Sequence, residues 1–167
     1  MRKILLFLVV FFYLNIVNAQ MHKFQAAYIY NISKHMEWPI EYKKGNFVIA
    51  VFSKDPIINE LKKIAASKKY LNRKIEVKVF KSTAEITKCH ILFVPTKQTS
   101  LMKSILSKTN KYKTLLITNK KGAIKLGSGI NFLLIGGKLK FEIKKSNITK
   151  KKIKVSSTIE KLAVKKY

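Results

Sequence analysis

The sequence predicts a single-domain α/β fold: a mixed β-sheet flanked by helices, an α/β sandwich that closes with a C-terminal β-hairpin and helix. Three observations lead there. Between Phe47 and Thr118, short apolar runs of strand length alternate with stretches of helical periodicity. Two alternating segments then flank Gly136-Gly137, as a hairpin requires. Finally, no repeat, proline-rich linker or low-complexity block divides residues 20–167, which have the size of one ordinary domain.

Met21 to Trp38 is expected to be a helix, because Phe24, Ala27, Tyr28, Ile32 and His35 recur at helical spacing and Pro39 stops it. Asn31 falls on the same stripe, where a polar side chain is normally a hydrogen-bonded core residue. Phe47 to Phe52 reads as a strand covered on both faces. Asp55-Pro56 supplies an N-cap and first helical position for a helix with Ile57, Leu61, Ile64 and Ala65 on one face. Ile75, Val77 and Val79 alternate with Glu76 and Lys78 in a half-buried strand. Ser82 and Glu85 have capping-box spacing for a short helical turn. Ile91 to Val94 is a strand ended by Pro95. Thr99 or Ser100 then caps a helix that turns Leu101, Met102, Ile105 and Leu106 inward. Leu115 to Thr118 is the next strand. Ile130 to Ile135 and the Leu139, Phe141, Ile143 series make the hairpin. Ser157 and Glu160, a second capping-box pair, open a last helix with Ile159, Leu162 and Ala163 buried.

Residues 1–19 have the three regions of a secretory signal peptide. Arg2 and Lys3 are followed by an apolar run from Ile4 to Val17, broken only by Asn15, and by Val17-Asn18-Ala19 as a cleavage site before Gln20. The run is shorter than the roughly 20 apolar residues of a spanning helix, and no later segment is longer, so an exported domain without a transmembrane segment is expected. Cys89 is the only cysteine. The domain must therefore build its core without an internal disulfide.

The formal charge of +27 invites a nucleic-acid, anionic-lipid or polysaccharide partner. Almost all of it is lysine, however, and arginine occurs only at Arg2 and Arg73. Readers of bases and phosphates favour the bidentate arginine fork. Lysine is also spread along the whole chain, so a solvated lysine surface is expected, with no specific nucleic acid.

The catalytic inventory is thin. There is one Asp (Asp55), and the histidines are His22, His35 and His90. No HExxH zinc motif is present, and Gly127-Ser128-Gly129 lacks the spacing of a nucleophile elbow. The glycine-rich pieces lack the Lys-Ser/Thr of a phosphate loop. Cys89 and His90 are adjacent, and consecutive strand residues point to opposite faces, so they cannot act as a dyad; Cys89 reads as a small buried hydrophobe. His22 and His35 are not at a chelating spacing. Neither a metal, a cofactor nor an enzymatic activity is expected. Asn31-Ile32-Ser33 and Asn147-Ile148-Thr149 match glycosylation sequons that arise readily by chance in an Asn-rich chain. If the early strands are parallel, ligands meet the loops at their carboxyl ends. Those loops carry Ser53, Lys54, Lys97, Asn119, Lys120 and Lys121, a candidate site for a small anionic ligand, against their reading as exposed turns with ordinary lysines.

Several pieces also occur in a recognisable order. Lys23-Phe24-Gln25-Ala26-Ala27-Tyr28-Ile29-Tyr30-Asn31-Ile32, then Glu37-Trp38-Pro39, resembles the opening helix of the YfiR family of bacterial periplasmic proteins. The likeness continues through Phe47 to Phe52 with Asp55-Pro56, Cys89 to Val94, Gly127 to Phe132, Lys140-Phe141-Glu142-Ile143 and Val155-Ser156-Ser157. It implies a non-catalytic periplasmic α/β domain that binds the periplasmic sensor part of an inner-membrane diguanylate cyclase and represses it; related domains accompany sensor histidine kinases. Two positions depart from the pattern. Cys89 stands alone where relatives often have several cysteines, which argues against a disulfide switch, and Lys144 stands where Asn is usual after Phe141-Glu142-Ile143. The leading expectation is a regulator of a membrane-bound signalling protein, compatible with a homodimer. Its candidate contacts are Tyr28, Tyr30, Met36 and Trp38, for most of which core packing is the competing role. The alternative is a periplasmic binding protein for a small anion.

Overall fold

The computed structural model describes residues 20–167, and the expected signal peptide, residues 1–19, lies outside them. Residues 20–33 form helix α1. Strand β1 (Met36–Glu37), a 3₁₀ turn at Ile40–Tyr42 and strand β2 (Phe47–Phe52) follow. Next come helix α2 (Ile57–Ser67), the short strand β3 (Lys69–Tyr70), and β4 (Arg73–Phe80). Strand β5 (Ile91–Val94), helix α3 (Met102–Thr109) and β6 (Leu115–Thr118) complete the middle of the chain. The last part holds β7 (Ile130–Ile135), β8 (Lys138–Ile143), α4 (Lys145–Thr149), β9 (Lys154–Val155), α5 (Ser157–Leu162) and β10 (Lys165–Lys166).

Eight strands form one sheet in the order β10-β8-β7-β6-β5-β2-β4-β3, while β1 and β9 make a separate antiparallel ribbon. Strands β4, β2, β5, β6 and β7 are parallel, and β8 turns back on β7. This is the mixed α/β sandwich with hairpin that the alternating pattern predicts. β2 and β5 are apolar at nearly every position because helices cover both sides of the sheet. On one face Ala26, Ile29 and Ile32 of α1 and Ile57 and Leu61 of α2 pack on Ile49, Val51, Ile91, Phe93 and Phe132. On the other, Met102 and Ile105 of α3 cover Ala50, Phe52, Leu92 and Leu116. Gly136 and Gly137, both at positive φ, close the hairpin in a two-residue turn that only such residues adopt freely. Gly129 has another role: a Cβ there would sit 2.7 Å from Ile148 and 2.9 Å from Leu115, so the bare backbone lets α4 pack onto β6.

Five local expectations need correction. Helix α1 stops at Ser33, well before Trp38, and a turn at Lys34-His35 leads the chain into β1. The freed Met36–Glu37 segment pairs with Val155 and Lys154. The buried stripe of α1 is Ala26, Ile29 and Ile32, whereas Phe24 is 46% exposed and Asn31 is exposed. Two overlapping helical series exist in that segment, and the smaller side chains take the sheet side. Neither Thr99 nor Ser100 caps α3: a 3₁₀ run from Thr96 to Leu101 precedes it, Leu101 is exposed, and Thr99 donates to the Thr96 carbonyl. Ser82 makes no cap either, since Glu85 accepts from the Lys81 N–H instead. The cap of α5 is Ser156, one residue earlier than expected, and Leu162 is 62% exposed. Asp55 does accept the Ile57 N–H at 3.0 Å, as its capping role requires.

The amino-terminal edge of the sheet is held by a ring cluster around His90. Trp38, Tyr42 and Phe47 pack against its imidazole. Its Nδ1 accepts the Val48 N–H at 3.0 Å and its Nε2 donates to the Tyr42 carbonyl at 2.9 Å, which fixes the neutral tautomer. Burial, with the charges of Arg73 and Lys88, pushes its pKa from 6.5 down to about 4 despite the opposing Tyr42 hydrogen bond. The folded state thus binds this proton less readily than the unfolded chain. Stability from His90 is complete above pH 6.5 and drains as the pH falls to about 4, by a total of about 3 kcal/mol. Urea titrations across that window should show the decline, and His90→Gln should flatten it; an unchanged slope in the variant would contradict the assignment.

Candidate partner-docking surface

Ten large hydrophobic side chains are exposed among the described residues; Phe24 and Leu162 stand on the α1 side of the hairpin, on either side of Tyr28, while Leu134, Ile135 and Tyr167 line a separate hollow with Glu142. Scattered surface hydrophobics carry no message, whereas a contiguous apolar rim marks an interaction site. Met21, Phe24 and Tyr28 of α1 face Gly137 to Lys140 across a groove of ≈ 400 Å³. Beyond Tyr28 a second hollow of ≈ 340 Å³ runs between Asn31, His35, Phe141, Ile159 and Leu162. Tyr28 is the ridge between the two. Its hydroxyl donates to the Leu139 carbonyl at 3.3 Å, and its ring meets Phe132 and Phe141 edge-on. At the far end, His35 Nδ1 and Ser156 Oγ lie 3.3 Å apart and join α1 to the start of α5.

The outer strands are held in register from the opposite face of the sheet. Thr118, Asn131 and Glu142 stand directly opposite one another on β6, β7 and β8. The Thr118 hydroxyl donates to Asn131 Oδ1 at 2.7 Å, Asn131 Nδ2 donates to Glu142 Oε1 at 2.9 Å, and the Tyr167 hydroxyl donates to Glu142 Oε2 at 2.9 Å. Asn131 and Glu142 are both buried. This ladder answers a buried carboxylate and ties the chain's last residue to the hairpin, since β10 runs parallel to β8 through Lys165 and Lys166.

Of the candidate contacts, Tyr28 shapes the groove, whereas Tyr30 reaches the opposite edge of the sheet, donating to the Lys69 carbonyl of β3 with Lys34 over its ring. Met36 and Trp38 are each 3% exposed and belong to the core, where the indole N–H donates to the Lys113 carbonyl. The parallel strands do bring the three loops to one carboxyl edge. There Thr96 donates to Asn119, while Lys54, Lys97, Lys120 and Lys121 are exposed and Ser53 is half-buried. His22 Nδ1 comes within 3.6 Å of Asp55 at the same edge. Cys89 is fully buried, and burial, offset in part by Thr114, pushes its thiol up to about 12, the state of an inert core residue. Leu134, Ile135, Val164 and Tyr167 were not singled out by pattern. The signal was available: Leu133-Leu134-Ile135 breaks the alternation at the strand's free end. Likewise, the two-residue turn already places Asn131 opposite Glu142.

A family model described as YfiR/HmsC-like matches residues 22–164, and the chain belongs to that family. It is a periplasmic, regulatory family. No curated protein matches the chain. The resemblance carried by the opening helix and the hairpin is thereby borne out. Among the described residues no helix is long and apolar enough to cross a membrane.

Asn131→Ala should strip partners from both Glu142 and Thr118 and lower stability by about 2 kcal/mol, or about 5 °C in melting temperature. Asn119→Ala, at a half-exposed loop, should cost well under half of that. Equal melting temperatures for the two variants would contradict the ladder's structural role.

Proposed function

We propose that this protein is a non-catalytic periplasmic regulator, exported by residues 1–19, that binds the periplasmic sensor part of an inner-membrane signalling protein and represses it. The family membership supports a regulator of cyclic-di-GMP signalling, with a diguanylate cyclase as the partner class and a sensor kinase as its nearest variant. The apolar rim of α1, the hairpin and the C-terminal segment is the observation that carries the reading. It offers large side chains around a preformed groove, which is how anchor residues of a partner are received. A binding energy concentrated in a few such contacts makes repression sensitive to single charges placed there.

The test is crosslinking and co-purification from envelope fractions, paired with cyclic-di-GMP measurement in deletion strains. Wild-type protein should capture a membrane signalling protein, and deletion should raise cyclic-di-GMP. Phe24→Glu and Leu162→Glu, both at exposed positions, should keep the melting temperature within about 2 °C and lower capture roughly tenfold or more. Capture of no membrane signalling protein, with cyclic-di-GMP unchanged on deletion, would overturn the proposal.

A further inference from the structure

The α3–β6 connection and the turn after α4 meet at the amino-terminal edge of the parallel strands. Together they form a cavity of ≈ 220 Å³ lined by Asn110, Tyr112, Lys113, Lys150 and Lys151, with no carboxylate in its wall. Exposed lysines abound in this chain, so Lys113 and Lys150 alone would say little. Lys151 is different. It is 5% exposed, and its Nζ has no hydrogen-bond partner among the described residues. A buried charge normally survives folding only when paired and hydrogen-bonded. Glu142 obeys that rule through Asn131 and Tyr167, and Lys151 does not.

The walls around this ammonium are fixed in advance. Lys113 is gripped from both sides of its backbone, its N–H donating to the Tyr42 hydroxyl at 2.9 Å and its carbonyl accepting from Trp38 at 3.1 Å. Lys150 Nζ donates to Asn147 Oδ1 at 3.1 Å, and Asn147 Nδ2 donates in turn to the Ser128 carbonyl at 2.8 Å. Lys152, at φ +58°, ends the turn in the left-handed conformation. Walls fixed in this way lose little freedom when a ligand arrives.

We propose that this cavity is a binding site for a small tetrahedral oxyanion, inorganic phosphate or sulfate, with the Lys151 ammonium as its buried donor and Lys113 and Lys150 at its rim. The volume lies below the roughly 300 Å³ at which sites for larger organic ligands begin. Lysine binds such ions as a compact point charge. Burial, with repulsion from Lys150, pulls Lys151 from 10.5 down to about 8. The groups around it are Lys150 on the same turn, Lys113 and Tyr112 from the α3–β6 connection, and the Cys89 thiol, which burial keeps neutral and so unable to act as counter-ion. The site shares no residue with the docking groove, so it stands or falls independently of the partner.

Thermal melts of the purified protein test this, in phosphate, sulfate or chloride at equal ionic strength. At roughly ten times the dissociation constant, phosphate or sulfate should raise the melting temperature about 3–5 °C above chloride. Lys151→Met should melt higher than wild type in chloride and show no increment from either oxyanion. Lys150→Gln should melt as wild type in chloride and bind the anion roughly tenfold more weakly. The wild-type sulfate increment should fade as the pH rises past about 8, where Lys151 loses its proton while sulfate keeps its charge. Equal responses to all three salts, or an oxyanion increment that survives in Lys151→Met, would overturn the site.

Discussion

The hydrogen bond between Asn131 and Glu142 is the constraint on which the functional half of this molecule depends. A carboxylate buried in the sheet must find donors, and Asn131 of β7 and Tyr167, just past β10, supply them from both sides. That requirement admits one register of the hairpin. A slip by one residue would turn Phe132 and Phe141 away from α1 and place polar side chains on the core face. With the register fixed, the two rings face Tyr28, Tyr28 spans the space to β8, and the groove on either side of it takes its shape. The apolar rim is therefore a consequence of a polar interaction on the opposite face of the sheet.

The other half of the molecule is anchored differently. At the amino-terminal edge the rings of Trp38, Tyr42, Phe47 and His90 lock the entry to β2 and β5, and they hold the loop before β6 by its backbone. The same loop lines the cavity beside Lys151. One aromatic cluster thus holds the sheet edge together and fixes a wall of the cavity. The lysine-rich surface plays no comparable part. Most of its ammonium groups are solvated, and exposed pairs such as Lys43 with Glu37 contribute little to stability.

The sheet was largely legible in the sequence because its central strands are continuous apolar runs and its hairpin has a two-glycine turn. The parts that were not legible have physical reasons. Strands β1, β9 and β10 have two residues each, too few to show any period. In α1, two helical series share Ile32, and only the sheet decides which of them is buried. Caps shifted by a residue at Ser156 because neighbouring serines offer the same hydroxyl. The docking rim was half legible: Tyr28 stood out as an aromatic on a helix, whereas Leu162 was expected to be buried. Lys151 gave no sequence signal at all, being one lysine in a run of three. Its burial follows from the turn that closes α4.

These elements combine into a domain that presents one apolar face and carries a separate basic cavity, with a core that needs no disulfide around its inert thiol. In the proposed role, the α1–hairpin rim contacts a membrane signalling protein. The most direct measurement is in-cell photocrosslinking from a reactive amino acid placed at Phe24, compared with one placed at Lys97 on the exposed carboxyl-edge loop. A crosslink to a membrane signalling protein is expected from position 24 and none from position 97. The reverse pattern, or equal crosslinking from both positions, would contradict it.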